Sequence, residues 1–89
     1  MVESKVRITN KLGLHLRAAA LLVQTASGFE CDIRVRKGDI DVDAKSIMGV
    51  LGLEAPIGSE LTVRAKGPDE EAGLAAVIGL IQAKFSEPE

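Results

Sequence analysis

Aromatic residues are nearly missing from this chain: there is no tryptophan or tyrosine, and Phe29 and Phe85 are the only rings. The core therefore has to be built from Leu, Ile, Val and Ala, and hydrophobic residues supply 46% of the sequence. At 89 residues the chain reads as one domain spanning residues 1–89. A chain of this size buries only roughly 60–65% of its unfolded surface, which leaves no room for a separate substrate domain. Cys31 is the single cysteine, so no internal disulfide can form. A buried, inert thiol in a reducing compartment is expected. His15 is the single histidine, and with one histidine and one cysteine no zinc ligand set exists. No convincing carboxylate pair suggests acid–base hydrolysis. An excess of basic charge is absent too: the net charge of −2 and a pI near 5.4 argue against a general nucleic-acid binder. Met1 to Lys5 contains no apolar signal core, and no run reaches membrane-spanning length. A soluble cytoplasmic protein without membrane insertion is the expectation.

What is present is period. Val2, Ser4, Val6 and Ile8 alternate with Glu3, Lys5, Arg7 and Thr9, predicting a first strand with one buried face. Asn10 to Leu14 reads as a loop in which Gly13 allows a tight backbone approach. Ala19, Leu22, Val23 and Ala26 recur at helical spacing, so a helix is expected from Leu16 to about Ala26, closed by Ser27-Gly28. Cys31, Ile33 and Val35 alternate with Asp32, Arg34 and Arg36, and Ile40 and Val42 alternate with Asp41 and Asp43. With Gly38-Asp39 as a two-residue turn this is a hairpin that sets Arg36 opposite Asp41, Val35 opposite Val42 and Arg34 opposite Asp43. One face is then apolar and the other carries ion pairs, a solvated face whose exposed pairs contribute about 0.2–1 kcal/mol each.

Ala44 to Leu51 reads as a short helix with Ser46 as its N-cap, ended before Ala55-Pro56. Leu61, Val63 and Ala65 mark a further half-buried strand. Gly67-Pro68-Asp69-Glu70-Glu71 opens the last helix, with acids where the helix dipole favours them. Its apolar stripe is Leu74, Val77, Ile78, Ile81 and Phe85. Gly73 and Gly79 inside that helix cost about 1 kcal/mol each relative to alanine, which implies close packing against a neighbour. Ser86 to Glu89 should fray. The order strand, helix, strand, strand, helix, strand, helix gives an α+β fold: an antiparallel sheet with helices on one side and the other face wet.

The chemistry turns on Gly13-Leu14-His15-Leu16-Arg17. On the residues alone, His15 is either an ordinary surface side chain or a functional one. The functional reading starts from the helix N-terminus, whose free N–H groups and positive dipole end attract anions. The same positive end disfavours imidazolium, so a neutral ring keeps one nitrogen lone pair for attack on phosphorus. Arg17 can fold back and donate in forked geometry to phosphoryl oxygens, or be a solvated helix arginine. Transfer between phosphorus donors asks mainly for positioning and charge stabilisation, so one nucleophile and one clamp suffice.

Three stretches carry a resemblance: Gly13-Leu14-His15-Leu16-Arg17, Lys45-Ser46-Ile47-Met48-Gly49-Val50, and Gly67-Pro68-Asp69-Glu70-Glu71-Ala72. Together, and over nearly the whole chain, they resemble the HPr family, the histidine-containing phosphocarriers of the phosphoenolpyruvate-dependent sugar phosphotransferase system. The resemblance implies an open-faced β-sandwich with four antiparallel strands in the order first, fourth, second, third under three helices. It implies a monomeric carrier that needs no cofactor, is not itself an enzyme, and takes a phosphoryl group from enzyme I on the delta nitrogen of His15. EIIA domains or proteins would receive that group, with Arg17 as the phosphoryl clamp. Ser46 resembles a regulatory serine phosphorylated by HPr kinase/phosphorylase, while its reading as a plain N-cap stands equally. Leu16, Ala20, Gln24, Ile47, Met48 and Leu51 resemble the partner-contact patch, with core packing competing for some of them.

Two positions depart from the family pattern, which usually has alanine in place of Leu16 and proline in place of Ala18. Ala18 restores an N–H and frees Arg17 from the pre-proline restriction, allowing an earlier helix start. Phosphotransfer is expected to survive, more slowly or with altered partner preference, because neither nucleophile nor clamp is lost. A regulatory relative that serves no sugar permease is the alternative within the family. A ligand-binding module with His15 as a bystander is the alternative outside it, and no ligand-shaped glycine loop supports that reading.

Overall fold

The alternating segments become sheet. In the computed structural model, which describes residues 1–89, β1 (Val2–Arg7), β2 (Asp32–Lys37), β3 (Ile40–Asp43) and β4 (Glu60–Lys66) form one antiparallel sheet of order β1-β4-β2-β3. Helices α1 (Leu16–Ser27), α2 (Ile47–Gly52) and α3 (Glu70–Gln82) complete an open-faced α+β sandwich, as the patterning and the resemblance both implied. Val6, Ile33, Val35, Leu61, Val63 and Ala65 line the inner sheet face and join Leu22, Ala26, Val77 and Ile81 of α1 and α3 in one core.

The hairpin register is the expected one, Arg34↔Asp43, Val35↔Val42 and Arg36↔Asp41, and Gly38 takes a positive φ of 59° at the turn. Its ion pairs are not the expected ones. Arg34 Nε reaches diagonally to Asp41 Oδ1 at 3.0 Å, and Asp41 Oδ2 takes Arg64 of β4, on the far side of β2. Arg34 and Arg64 lie directly opposite each other. One carboxylate between two like charges removes a repulsion that a straight-across pairing would leave. Asp43 accepts instead from the Lys45 backbone N–H at 2.9 Å, tying the strand end to the turn before α2.

Other expectations need correction. Gly28 closes α1 with φ −74°, so it is a right-handed cap that makes no use of a glycine's left-handed freedom. A Cβ on Gly73 would meet Cys31 Sγ at 2.8 Å and Ile33 Cδ1 at 3.2 Å, which is the predicted close packing, whereas a Cβ on Gly79 would meet nothing. Phe85 is buried as expected, but not on a helical stripe. The helix ends at Gln82, and Lys84, Phe85 and Ser86 follow with positive φ of 57°, 54° and 63°. Left-handed non-glycine residues cost about 1–2 kcal/mol each. Burial of the Phe85 ring, roughly 1.5–3 kcal/mol, offsets part of that cost.

The last residues, expected to fray, make hydrogen bonds instead. Ser86 N–H donates to Ala83 O, Glu87 N–H to Lys84 O, and Lys11 N–H to Glu89 O at 2.6 Å, which returns the tail to the loop before α1.

Ser46 caps α2 as expected, its Oγ accepting the Gly49 N–H at 3.2 Å. Ser46→Ala should destabilise the chain by about 0.5–2 kcal/mol in urea unfolding. The two glycines of α3 should separate in the same assay. Gly73→Ala should cost about 1–3 kcal/mol through overpacking, while Gly79→Ala should stabilise by up to about 1 kcal/mol from helix propensity alone.

Candidate functional site

Gly13 sets the site's backbone. Its φ is +69°, and a Cβ there would sit 2.7 Å from Ala55 O and 2.9 Å from Pro56 Cα, so only glycine passes without displacing backbone. Leu14 N–H then donates to Ala55 O at 2.8 Å and the Leu14 side chain is buried. His15 follows in extended conformation (φ −77°, ψ 179°) as the N-cap of α1. The first helical bond is Ala19 N–H to His15 O at 2.8 Å, so the N–H groups of Leu16, Arg17 and Ala18 have no helical acceptor. Alanine at 18 leaves the helix start at Leu16 and adds an N–H that a proline would lack.

The His15 side chain caps none of these N–H groups. Its Nε2 is instead bonded to Glu87 Oε2 from the C-terminal tail. Arg17 Nη2 approaches the same oxygen at 3.4 Å, and Asn10 Nδ2 donates to Glu87 Oε1 at 2.9 Å and to Gly13 O at 2.8 Å. The Glu87 side chain is 6% exposed, against 25% for His15 and 69% for Arg17. The hydrogen bond from Asn10 holds the Glu87 carboxyl below its ordinary value of 4.5, with His15 and Arg17 adding to the effect and partial burial opposing it.

Sequence reasoning missed Asn10 and Glu87. Glu87 stands 72 residues from His15, so no local spacing could join them. The one available signal was Phe85, whose burial anchors the tail two residues earlier. Asn10 was assigned only to a loop, yet it is fully buried, with its Oδ1 unpaired.

The remaining candidates divide by exposure. Leu16 and Met48 are 66% and 76% exposed, and Ala20 and Gln24 are exposed on α1. Ile47 and Leu51 are half-buried and pack on the core, as the competing reading allowed. α1 and α2 pack against each other. Ser46 is exposed apart from its capping bond. Lys11, Leu12, Arg17 and the tail from Glu87 to Glu89 surround an open depression of about 280 Å³ beside His15. No cluster of three His, Cys, Asp or Glu side chains is arranged to hold a metal ion, and no helix is long and apolar enough to cross a membrane.

His15 thus stands at a helix start with Nε2 held by Glu87 and Nδ1 making no hydrogen bond. The family profile described as "PTS HPr component phosphorylation site" matches residues 2–83. The chain belongs to the HPr family. It is 49% identical over 87 residues to the phosphocarrier protein HPr of Treponema pallidum, covering 98% of this chain and 99% of that one. To the phosphocarrier protein NPr of Shewanella violacea it is 43% identical over 86 residues, covering 97% and 94%. The crystal structure of HPr from Thermoanaerobacter tengcongensis superposes with a TM-score of 0.96 at 46% identity over the full length of both chains. The phosphotransferase-system phosphocarrier family is thus shown for this HPr-family chain over nearly its whole length.

Because Glu87 titrates below its unfolded value, its charged form stabilises the fold. That contribution is complete above the ordinary value of 4.5 and is lost as pH falls through the lowered folded value. The Tm advantage of wild type over Glu87→Gln, followed by circular dichroism, should therefore shrink as the solution is acidified below that value.

Proposed function

We propose that the chain carries a phosphoryl group on His15, taking it from enzyme I and passing it to EIIA domains or proteins of sugar permeases. The observation that carries the reading is the position of His15: N-cap of α1, with Nε2 engaged by Glu87 and the helix N–H groups of Leu16 to Ala18 unpartnered. Nδ1 is the nitrogen left to act as nucleophile. Phosphoryl oxygens arriving there meet backbone donors and the positive end of the dipole. Arg17 is mostly exposed, and its 3.4 Å contact with Glu87 lies at the outer limit of a hydrogen bond. Swinging onto a phosphoryl group costs it little, and forked donation makes it the clamp. The chain acts as a single carrier unit over residues 1–89, a monomer of the cytoplasm, regenerated in each cycle.

Leu16, Ala20 and Gln24 of α1 with Ile47, Met48 and Leu51 of α2 form the surface that partner proteins cover. Exposed Leu16 and Met48 support this reading, since covering apolar surface that stands open to water is favourable. Ser46, exposed beside that surface in the chain, is the site for regulatory phosphorylation by HPr kinase/phosphorylase, where added negative charge would repel an acidic partner. Similarity to proteins called NPr as well as HPr favours a second reading, a relay that signals through its phosphorylation state without serving a sugar permease.

Incubation with phosphoenolpyruvate and enzyme I should give an acid-labile, base-stable phosphoprotein, and His15→Ala should abolish it. Label retained on His15→Ala would overturn the assignment. Onward transfer to a sugar-specific EIIA separates the two readings.

A further inference from the structure

We infer that Glu87 is a positioning residue for phosphoryl transfer: its carboxylate keeps the proton on His15 Nε2, so that Nδ1 offers its lone pair to phosphorus. The inference deepens the assignment of His15 as phosphoryl acceptor and rests on it.

An ionised carboxylate only accepts hydrogen bonds, so the ring nitrogen facing it must bear hydrogen. In a neutral imidazole that requirement selects one tautomer, with Nε2 protonated and Nδ1 bare. Glu87 is well placed to impose it. Oε1 is held by Asn10 Nδ2 at 2.9 Å, and Asn10 is itself fully buried and tied to Gly13 O at 2.8 Å. The tail behind Glu87 is anchored by the buried Phe85 and by the Lys11–Glu89 backbone bond. With 6% of its side chain exposed, the carboxylate is shielded from water that would compete for the Nε2 proton.

The transfer then needs no proton to move. The Nδ1 lone pair attacks phosphorus, and the bond from phosphorus to the donor breaks with its electron pair returning to the donor. The ring gains one positive charge and retains its Nε2–H against Glu87. In onward transfer the Nδ1–P bond breaks, the pair returns to Nδ1, and the ring leaves as the same neutral tautomer. Arg17 shares the Glu87 oxygen before transfer. When it moves to the phosphoryl group the carboxylate loses one cationic neighbour and gains another in the ring, so its environment is nearly balanced throughout.

The test uses the full chain with Glu87→Ala and Glu87→Gln. Long-range proton–nitrogen NMR of the unphosphorylated proteins at neutral pH should show wild-type His15 as the Nε2–H tautomer. In Glu87→Ala a substantial Nδ1–H population should appear, and Glu87→Gln, which keeps the shape and loses the charge, should fall between. Steady-state phosphorylation by enzyme I should show kcat lowered about tenfold in Glu87→Ala, the scale on which carboxylate partners orient histidines elsewhere, with KM changed little. The same tautomer in all three proteins overturns the role of Glu87 even if wild type is phosphorylated on His15. Failure of wild type to accept phosphate at all overturns the parent assignment and this inference with it.

Discussion

Everything at the candidate site depends on Gly13 passing within van der Waals reach of the Ala55-Pro56 backbone. The first strand extends toward that point, with Gly58 N–H donating to Ile8 O and Ile8 N–H to Ser59 O, both at 2.8 Å. Gly13 then turns the chain through a left-handed conformation, and Leu14 locks it by donating to Ala55 O. Any side chain at position 13 would push the two segments apart. The start of α1 would move with them, and His15 would lose its place at the helix N-terminus. A backbone constraint thus decides where the His15 ring stands.

The opposite end of the chain supplies the second constraint. Three consecutive left-handed residues are an expensive way to end a helix, and they turn the tail back so that Phe85 enters the core and Glu87 meets His15. Asp69 plays a comparable part elsewhere. It occupies the N-cap position of α3 yet caps nothing there, because its carboxylate accepts the backbone N–H groups of Glu30 and Cys31 at 2.9 and 2.8 Å. Those bonds hold the Asp69 carboxyl below its usual range, the Glu30 N–H contributing most. In both places an acid near a terminus serves a distant loop rather than its own helix.

How far the sequence revealed this follows from the range of each interaction. The strands and the hairpin register were legible because period-two alternation and a Gly-Asp turn act between near neighbours, whereas the strand order came only with the family resemblance. The position of His15 at a helix start was legible for the same reason, from Gly13 before it and the Ala19, Leu22, Ala26 spacing after it. The diagonal pairing of Arg34 with Asp41 was not, because it answers to Arg64, a residue on another strand. The tail was least legible of all: Lys84 to Glu89 is a polar-looking end whose conformation is dictated by a cavity for Phe85 and by Asn10, neither of which its local sequence reveals. Gly79 misled in the opposite sense, since a helical glycine signals close packing only where a neighbour lies against it.

Whether His15 Nδ1, at the start of α1, bears the phosphoryl group can be read on the atom itself. The most direct measurement is phosphorus–nitrogen NMR of the nitrogen-labelled chain after phosphorylation by enzyme I and phosphoenolpyruvate. One phosphorus coupled to Nδ1 of His15 is expected, with Nε2 still carrying hydrogen. Phosphorus on Nε2, or on a serine instead of the ring, would contradict it.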